Sequence, residues 1–88
     1  MPKAKTSPRF VKAFVKLSAE TQKKLDKAIA LLEEKPRHPS LQSKPVEGTT
    51  GIYEARVDKR CRLTYIRLPD DTLLLRVVGR HDEVLRNP

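Results

Sequence analysis

Apolar residues recur at helical spacing through the first half of the chain. Ser7 followed by Pro8 predicts the start of a short helix, with one apolar stripe made of Phe10, Val11, Phe14 and Val15. Ser18 predicts a second N-cap, and the helix after it should span 19–35, where Pro36 ends it. The apolar face of this helix consists of Leu25, Ala28, Ile29 and Leu32. We therefore expect a helical hairpin, and residues 3–6 before it are a candidate for a short edge strand.

The second half changes to the alternating pattern of strands. Residues 36–51 are rich in Pro and Gly and predict a loop, with Leu41 and Val46 as anchors. Strands are predicted at 52–58, 61–68 and 72–79, and their short connections favour an antiparallel meander. A polar tail with room for one helical turn follows at 81–87. The predicted fold class is α+β, with the helical hairpin packed on the meander and residues 1–88 as a single domain.

Alternation along the three strands predicts a sheet with two different faces. The apolar face should pack on the hairpin, so we expect burial of Leu25, Ile29, Leu32, Leu63, Tyr65, Leu75 and Val77. The opposite face gathers Arg56, Arg62, Arg76 and Arg80, with His81 beside them. The planar guanidinium group suits bidentate binding of phosphate. Alternatively, these arginines are solvated and pair with the acidic residues of the same face.

Composition and charge narrow the possible partners. The 88 residues carry 19 Lys and Arg against 11 Asp and Glu, a net charge of +8. This surplus favours a polyanion such as nucleic acid, although it could also serve solubility or neutralise an acidic protein. The sequence contains neither an apolar run of about 20 residues nor an apolar leader, so we expect a cytoplasmic protein without a membrane partner.

Few residues offer recognisable chemistry. The single cysteine, Cys61, excludes an intramolecular disulfide, and with two separated histidines we predict neither a metal centre nor a cofactor. His38 lies between prolines in the loop and fits a surface position. His81 follows Gly79 and Arg80 at the end of the last strand, where it could transfer protons near neutral pH. An ordinary surface histidine is the alternative.

The order of five segments resembles the RelE/ParE toxin superfamily. These are the helical hairpin, Lys44-Pro45-Val46-Glu47-Gly48, Ile52-Tyr53-Glu54-Ala55-Arg56-Val57, Cys61-Arg62-Leu63-Thr64-Tyr65 and Val78-Gly79-Arg80-His81-Asp82-Glu83. The last segment is most similar to the RelE and YafQ branches. The resemblance implies that the chain is the toxin of a toxin–antitoxin pair. It further implies an mRNA interferase, an enzyme that enters the ribosomal A site and cleaves mRNA there. Its expected partners are a cognate acidic antitoxin, rRNA and mRNA, and the free toxin is expected to be a monomer.

The resemblance also implies roles for individual residues. The 2′-oxygen of the RNA would attack the neighbouring phosphorus without a metal, with His81 as general base or acid and with Arg62 and Arg80 stabilising the phosphate charge. Asp82 would hold the imidazole in one tautomer or cap the final turn. The remaining RNA-binding residues would be Lys44, Arg56, Lys59, Arg60 and Arg76.

Two positions depart from the family pattern. Glu54 stands where a lysine would extend the basic groove, and Leu85 stands where many members carry Tyr or Phe. The ParE branch lacks the catalytic groups and inhibits DNA gyrase, so a gyrase inhibitor is the first alternative function. A basic RNA-binding module without toxicity is the second.

Overall fold

A five-stranded mixed sheet organises the chain in the computed structural model, which describes residues 2–88. The elements in chain order are β1 (Ala4–Thr6), α1 (Pro8–Phe14), α2 (Ala19–Glu34), a 3₁₀ turn (Pro39–Leu41), β2 (Lys44–Pro45), β3 (Ile52–Arg56), β4 (Cys61–Arg67), β5 (Leu73–Arg80) and α3 (His81–Arg86). The strand order is β1-β5-β4-β3-β2, with β1 parallel to β5 and every other pair antiparallel. The α+β class, the hairpin, the meander and the edge strand are confirmed.

Both predicted N-caps form as the sequence indicates. The Ser7 hydroxyl accepts from the Phe10 amide at 3.1 Å, and the Ser18 hydroxyl accepts from the Thr21 amide at 3.1 Å. Each cap satisfies one backbone donor that the first helical turn leaves free. The caps therefore fix where α1 and α2 begin.

The helical hairpin packs on one side of the sheet, which we call the inner face. Leu25 and Leu32 of α2 are fully buried there against Leu63 and Leu75 of the central strands, and Tyr65 is buried beside them. These predictions are confirmed, whereas Ile29 is only partly buried at the edge of the cluster. Leu41 and Val46 are buried as predicted.

The prediction that four apolar residues of the first helix face the core is wrong for two of them. Phe10 is buried and Phe14 partly so, but Val11 and Val15 are 47% and 67% exposed. A helix of seven residues resting on one sheet can turn only one narrow side inward. The outward valines consequently lie next to the basic residues of the same helix.

A β-bulge in β5 changes which residues face the helices. Thr64 pairs with Val77 and Tyr65 with Leu75, so Arg76 is the extra residue between the two pairs. Beyond the bulge Val78, not Val77, pairs with Leu63 and joins the inner cluster. Val77 is buried, as predicted, but on the opposite side of the sheet, which we call the outer face.

The short helix α3 covers part of the outer face. Its Val84 is buried, and a Cβ built on Gly79 would lie 3.6 Å from the Val84 side chain. The sequence predicted at most one turn here, and β2 at the far edge of the sheet was not predicted at all. No helix in the described residues is long and apolar enough to cross a membrane.

Candidate functional site

A hollow of about 610 Å³ opens on the outer face where the cover provided by α3 ends. One wall comes from β2 and the loop after it, another from β3 and a third from α3. Its lining residues are Lys44, Pro45, Val46, Glu47, Glu54, His81 and Leu85. The size is within the range of pockets that hold small organic groups. This hollow, named the outer hollow below, brings an imidazole, an amine and two carboxylates together.

His81 is held in place by its backbone while its ring remains accessible. Its amide donates to the Arg60 carbonyl at 3.0 Å, which extends the β4–β5 ladder by one step before α3 begins. The side chain is 45% exposed, and its Nδ1 lies 3.5 Å from Asp82 Oδ1. Asp82 is 88% exposed, so any ion pair with a protonated His81 is solvated and weak.

Glu54 is the buried acidic residue of the outer hollow. It is 5% exposed and lies on β3 directly opposite Lys44 of β2 and Thr64 of β4. Residues opposite each other on neighbouring strands share a face. Glu47, the other carboxylate of this hollow, is exposed.

Arg62 remains on the outer face as predicted, but its guanidinium folds onto the β3–β4 turn. Its Nη1 donates to the carbonyls of Asp58 at 2.6 Å and Cys61 at 3.1 Å. Arg56 lies opposite Arg62 in the ladder, so two guanidinium-bearing positions adjoin at this end of the sheet. Neither residue lines the outer hollow.

Asp58 organises this turn. Its Oδ1 accepts from the amides of Arg60 and Cys61, both at 2.8 Å, and its Oδ2 lies 3.8 Å from Lys24 Nζ. Burial alone would raise the pKa of Asp58. The two amide donors and the positive charges of Lys24 and Arg62 outweigh burial and hold this pKa below its ordinary value of 3.8.

Arg80 is not on the outer face, contrary to the prediction. Because the bulge shifts the alternation, Arg80 pairs with Cys61 and shares its side of the sheet. It lines a second hollow of about 630 Å³ between the β3–β4 turn and the hairpin, together with Lys24, Arg56, Lys59 and Arg60. Cys61, also in its lining, is buried, and burial raises the pKa of its thiol to about 11, which leaves it protonated at neutral pH.

Arg76 is engaged by the residues that follow α3. Its Nε donates to the Pro88 carbonyl at 3.1 Å, and the Thr64 hydroxyl donates to the same oxygen at 2.9 Å. Arg9 of α1 donates to the neighbouring Asn87 carbonyl. Part of the hydrogen-bonding capacity of Arg76, a predicted RNA-binding residue, is therefore used within the chain itself.

The predicted site residues thus fall into separate groups. His81 and Lys44 share the outer hollow, and Asp82 adjoins His81. Four others line the second hollow: Arg56, Lys59, Arg60 and Arg80. Sequence reasoning placed Glu54 on the outer face, as a partner for the arginines and as a departure from the family pattern, but did not place it in a hollow with His81. Among residues 2–88, no three His, Cys, Asp or Glu side chains come together as metal ligands.

No protein-family model and no curated protein sequence matches the chain. Solved structures do match. A chain of the intact E. coli RelBE toxin–antitoxin complex is 20% identical, with 91% of this chain and 96% of that chain covered and a TM-score of 0.72. A chain of the E. coli DinJ–YafQ toxin–antitoxin complex is 24% identical over 94% and 96%, with a TM-score of 0.74. The YoeB/ParE toxin from Agrobacterium tumefaciens is 15% identical over 90% and 98%, with a TM-score of 0.75. The chain therefore has the fold of the RelE, YafQ and YoeB/ParE toxins.

Proposed function

We propose that this chain is the toxin of a toxin–antitoxin pair and acts as a ribosome-dependent endoribonuclease that cleaves mRNA in the A site. The observation that carries the proposal is the accessible His81 ring in a hollow that also contains Lys44, on the fold of the RelE and YafQ toxins. A proton carrier beside a cation is what phosphodiester transfer from a 2′-hydroxyl requires. The protein would act in the cytoplasm, where ribosomes translate.

The structure changes the roles proposed for the arginines. His81 is the proton carrier, and Lys44, in the same hollow, is a cation that can meet the scissile phosphate. Within residues 2–88 the guanidinium of Arg62 donates only through Nη1, so its other N–H groups, at the edge of the outer face, would bind the backbone of the message. Arg80, Lys59 and Arg60, on the other side, would contact rRNA phosphates.

The experiment is single-turnover cleavage on programmed ribosomes at saturating protein, which removes affinity from the result. His81→Gln should reduce the cleavage rate by roughly 10²–10⁴-fold. His38→Gln is the matched control, because His38 lies on the loop far along the chain and only caps a 3₁₀ turn through Ser40. Arg62→Ala should weaken ribosome binding and flatten its salt dependence. Cleavage by His81→Gln at the parent rate would contradict the proposed proton transfer.

A gyrase inhibitor is the second candidate, favoured by the likeness to the YoeB/ParE toxin. It predicts inhibited supercoiling in a gyrase assay and intact message on ribosomes. A basic RNA-binding module without toxicity predicts no growth arrest on expression. Together the three assays of growth, message cleavage and supercoiling separate the candidates.

The antitoxin partner is proposed from the charge of this chain and from the toxin–antitoxin complexes that share its fold. Residues 8–16, which comprise α1 and the two residues after it, contain no acidic residue, and the exposed Val11 and Val15 lie beside Lys12 and Lys16 in the sequence. An acidic amphipathic segment would match both the apolar and the positive parts of this surface. Co-purification with the product of the adjoining gene should weaken between about 0.1 M and about 1 M salt. A complex unaffected by salt would argue against a mainly electrostatic contact.

A further inference from the structure

Both tyrosines of the chain lie together near the edge of the sheet that β2 forms. Tyr53 of β3 and Tyr65 of β4 are opposite each other in the ladder, and their rings stack with centroids 5.6 Å apart and 19° between the ring planes. Tyr65 is buried, and its hydroxyl is hydrogen-bonded to the Ser43 hydroxyl. Tyr53 is 37% exposed. A ring that is held in place therefore supports a second ring that solvent can reach.

The exposed part of Tyr53 opens into a hollow of about 460 Å³, named the tyrosine hollow below. Pro36, which follows α2, and Pro45, which lies opposite Tyr53 on β2, also line it. The volume is within the range of pockets that hold small organic groups. An aromatic ring and two proline rings form a surface on which a flat ligand can stack.

Three positive charges surround this surface. Arg37, Lys44 and Arg67 are exposed and line the tyrosine hollow, and none of its lining residues within 2–88 is acidic. Arg67 Nε lies 3.4 Å from Asp71 Oδ1, but these side chains are 57% and 62% exposed, so the pair is solvated and weak. In the described chain no carboxylate lies within 4.0 Å of a nitrogen of Arg37 or Lys44. Stacking on an aromatic ring beside cations is how proteins hold an unpaired nucleotide.

Lys44 connects the tyrosine hollow with the outer hollow. It lines both, because β2 is the edge strand and its two residues, Lys44 and Pro45, face opposite sides of the sheet. Neighbouring strands are only about 4.8 Å apart, so the two hollows are separated by little more than one strand. A single-stranded polyanion that occupies the outer hollow can therefore continue over this edge.

We propose that the tyrosine hollow binds an unpaired nucleotide of single-stranded RNA, next to the nucleotides in the outer hollow. The base stacks on Tyr53, and Arg37 and Arg67 bind the flanking phosphates. The choice of RNA as the polyanion rests on the proposed function, whereas the stacking requires no cleavage. Bases within a duplex are already stacked on one another, so the hollow selects unpaired RNA. It does not select sequence, since every base has a π-face.

Tyrosine fluorescence reports on this hollow alone, because the chain has no Trp and both of its tyrosines line it. The probe is a single-stranded RNA of about eight nucleotides, a length within the usual range of such sites, with 2′-O-methyl groups that prevent attack by the 2′-oxygen. Its binding should quench the emission. An RNA duplex and inorganic polyphosphate are the control probes, and both should bind through charge without comparable quenching.

Two variants of Tyr53 separate stacking from charge. Tyr53→Leu removes the ring and keeps an apolar side chain, and it should weaken binding of the single strand by roughly 5–150-fold. Tyr53→Phe is the matched control, since it keeps the ring and should bind with close to the parent affinity. Both variants should bind polyphosphate as the parent does.

The phosphate contacts are tested by the salt dependence of binding. Arg37→Gln should reduce the slope of log affinity against log salt by about 0.7, the value for one phosphate contact on a single strand. Lys27→Gln is the control, because it removes an exposed positive charge from a residue of α2 that lines neither this hollow nor the other two, and it should leave the slope unchanged. Arg37 is exposed, so its variant carries the test if urea unfolding shows that Tyr53→Leu is not folded.

Four results would overturn the proposal. These are equal quenching by the duplex or by polyphosphate, an unchanged affinity of Tyr53→Leu, a loss in Tyr53→Phe as large as in Tyr53→Leu, and a parental salt slope in Arg37→Gln. Cleavage of message on ribosomes by the parent is measured separately. A parent that is quenched by single-stranded RNA but leaves the message intact would refute the proposed function and support this site, and a parent that cleaves without being quenched would do the reverse.

Discussion

The two faces of the sheet are equally buried at their centres but are covered in different ways. Leu63 on the inner face and Thr64 on the outer face are both fully buried neighbours on β4. Leu63 is covered by the helical hairpin and by other apolar side chains. Thr64 is covered by α3 and the residues after it, and its hydroxyl donates to the Pro88 carbonyl.

This difference shows where a small domain can place a site. At the centre of the inner face the side chains fill the space under the helices, and the second hollow lies only at its edge, beside the β3–β4 turn. On the outer face, a six-residue helix and two following residues shield only the part of the sheet near β4 and β5. The outer hollow begins at β2 and β3, where that shielding stops.

The largest effect on stability should come from the inner face. Leu63→Ala leaves a cavity among helices that can adjust only partly, so the free energy of unfolding should fall by about 2–5 kcal/mol. Thr64→Ala, one residue away, loses a hydrogen bond and a methyl group and should cost about 1–2 kcal/mol. Urea unfolding of both variants provides the comparison. Equal losses would mean that both faces depend on packing to the same degree.

The bulge in β5 predicts an intermediate effect for a matched pair of valines. Val78→Thr places a hydroxyl among the apolar residues of the inner cluster and should cost about 1–3 kcal/mol. Val77→Thr makes the same change opposite Thr64, where a second hydroxyl can form a hydrogen bond. Val77→Thr should therefore lower the free energy of unfolding clearly less than Val78→Thr does. If Val77→Thr were the more damaging variant, the two valines would have the opposite orientations in solution.

Alternation predicted the faces correctly only up to this bulge. From Tyr53 to Arg56, from Cys61 to Tyr65 and from Leu73 to Leu75, each residue lies on the predicted face. Asp58, in the turn, was predicted on the outer face, but its carboxylate lies beside Lys24 of the hairpin. The run Arg76-Val77-Val78 has no glycine or proline to mark an extra residue, and either valine satisfies a buried position on its own. The position of the bulge depends on how the sheet packs between the helical hairpin and α3. The local sequence pattern carries no information about that packing. That single shift moved Arg80 from the predicted site to the other side of the sheet.

The smallest expected effect concerns the turn that joins β3 to β4. Because the pKa of Asp58 is held below 3.8 in the folded protein, its contribution is present above that pH and is lost as pH falls through the lowered value. Asp58→Asn can still accept both amide hydrogen bonds and should cost about 0.5–1 kcal/mol near neutral pH. In urea unfolding, the difference from the parent should narrow between about pH 6 and about pH 3. A constant difference would show that the charge of Asp58 contributes nothing to stability.

The candidate site could be predicted in its chemistry more than in its geometry. His81 stood out from its position after the last strand, and Lys44 from the segment that carries the family resemblance. The outer hollow depends on β2 and on α3. β2, a strand of two residues, was not predicted, and α3 was expected only as one helical turn of a polar tail and not as a cover for the sheet. The position of Glu54 beside His81 follows from the folding of that tail over the sheet, a contact between residues distant in sequence.

The parallel pairing of β1 with β5 also affects when the protein is completed during its own synthesis. Ser7, just after β1, donates through its hydroxyl to the Arg76 carbonyl, a bond between residues 69 positions apart. At about 5–20 residues per second, β1 would wait roughly 3–14 s for the strand that receives it. A pairing of such long range also folds slowly once the chain is available. The nascent chain would therefore lack a finished sheet until its last strand has emerged, which delays its activity relative to any partner that is translated first.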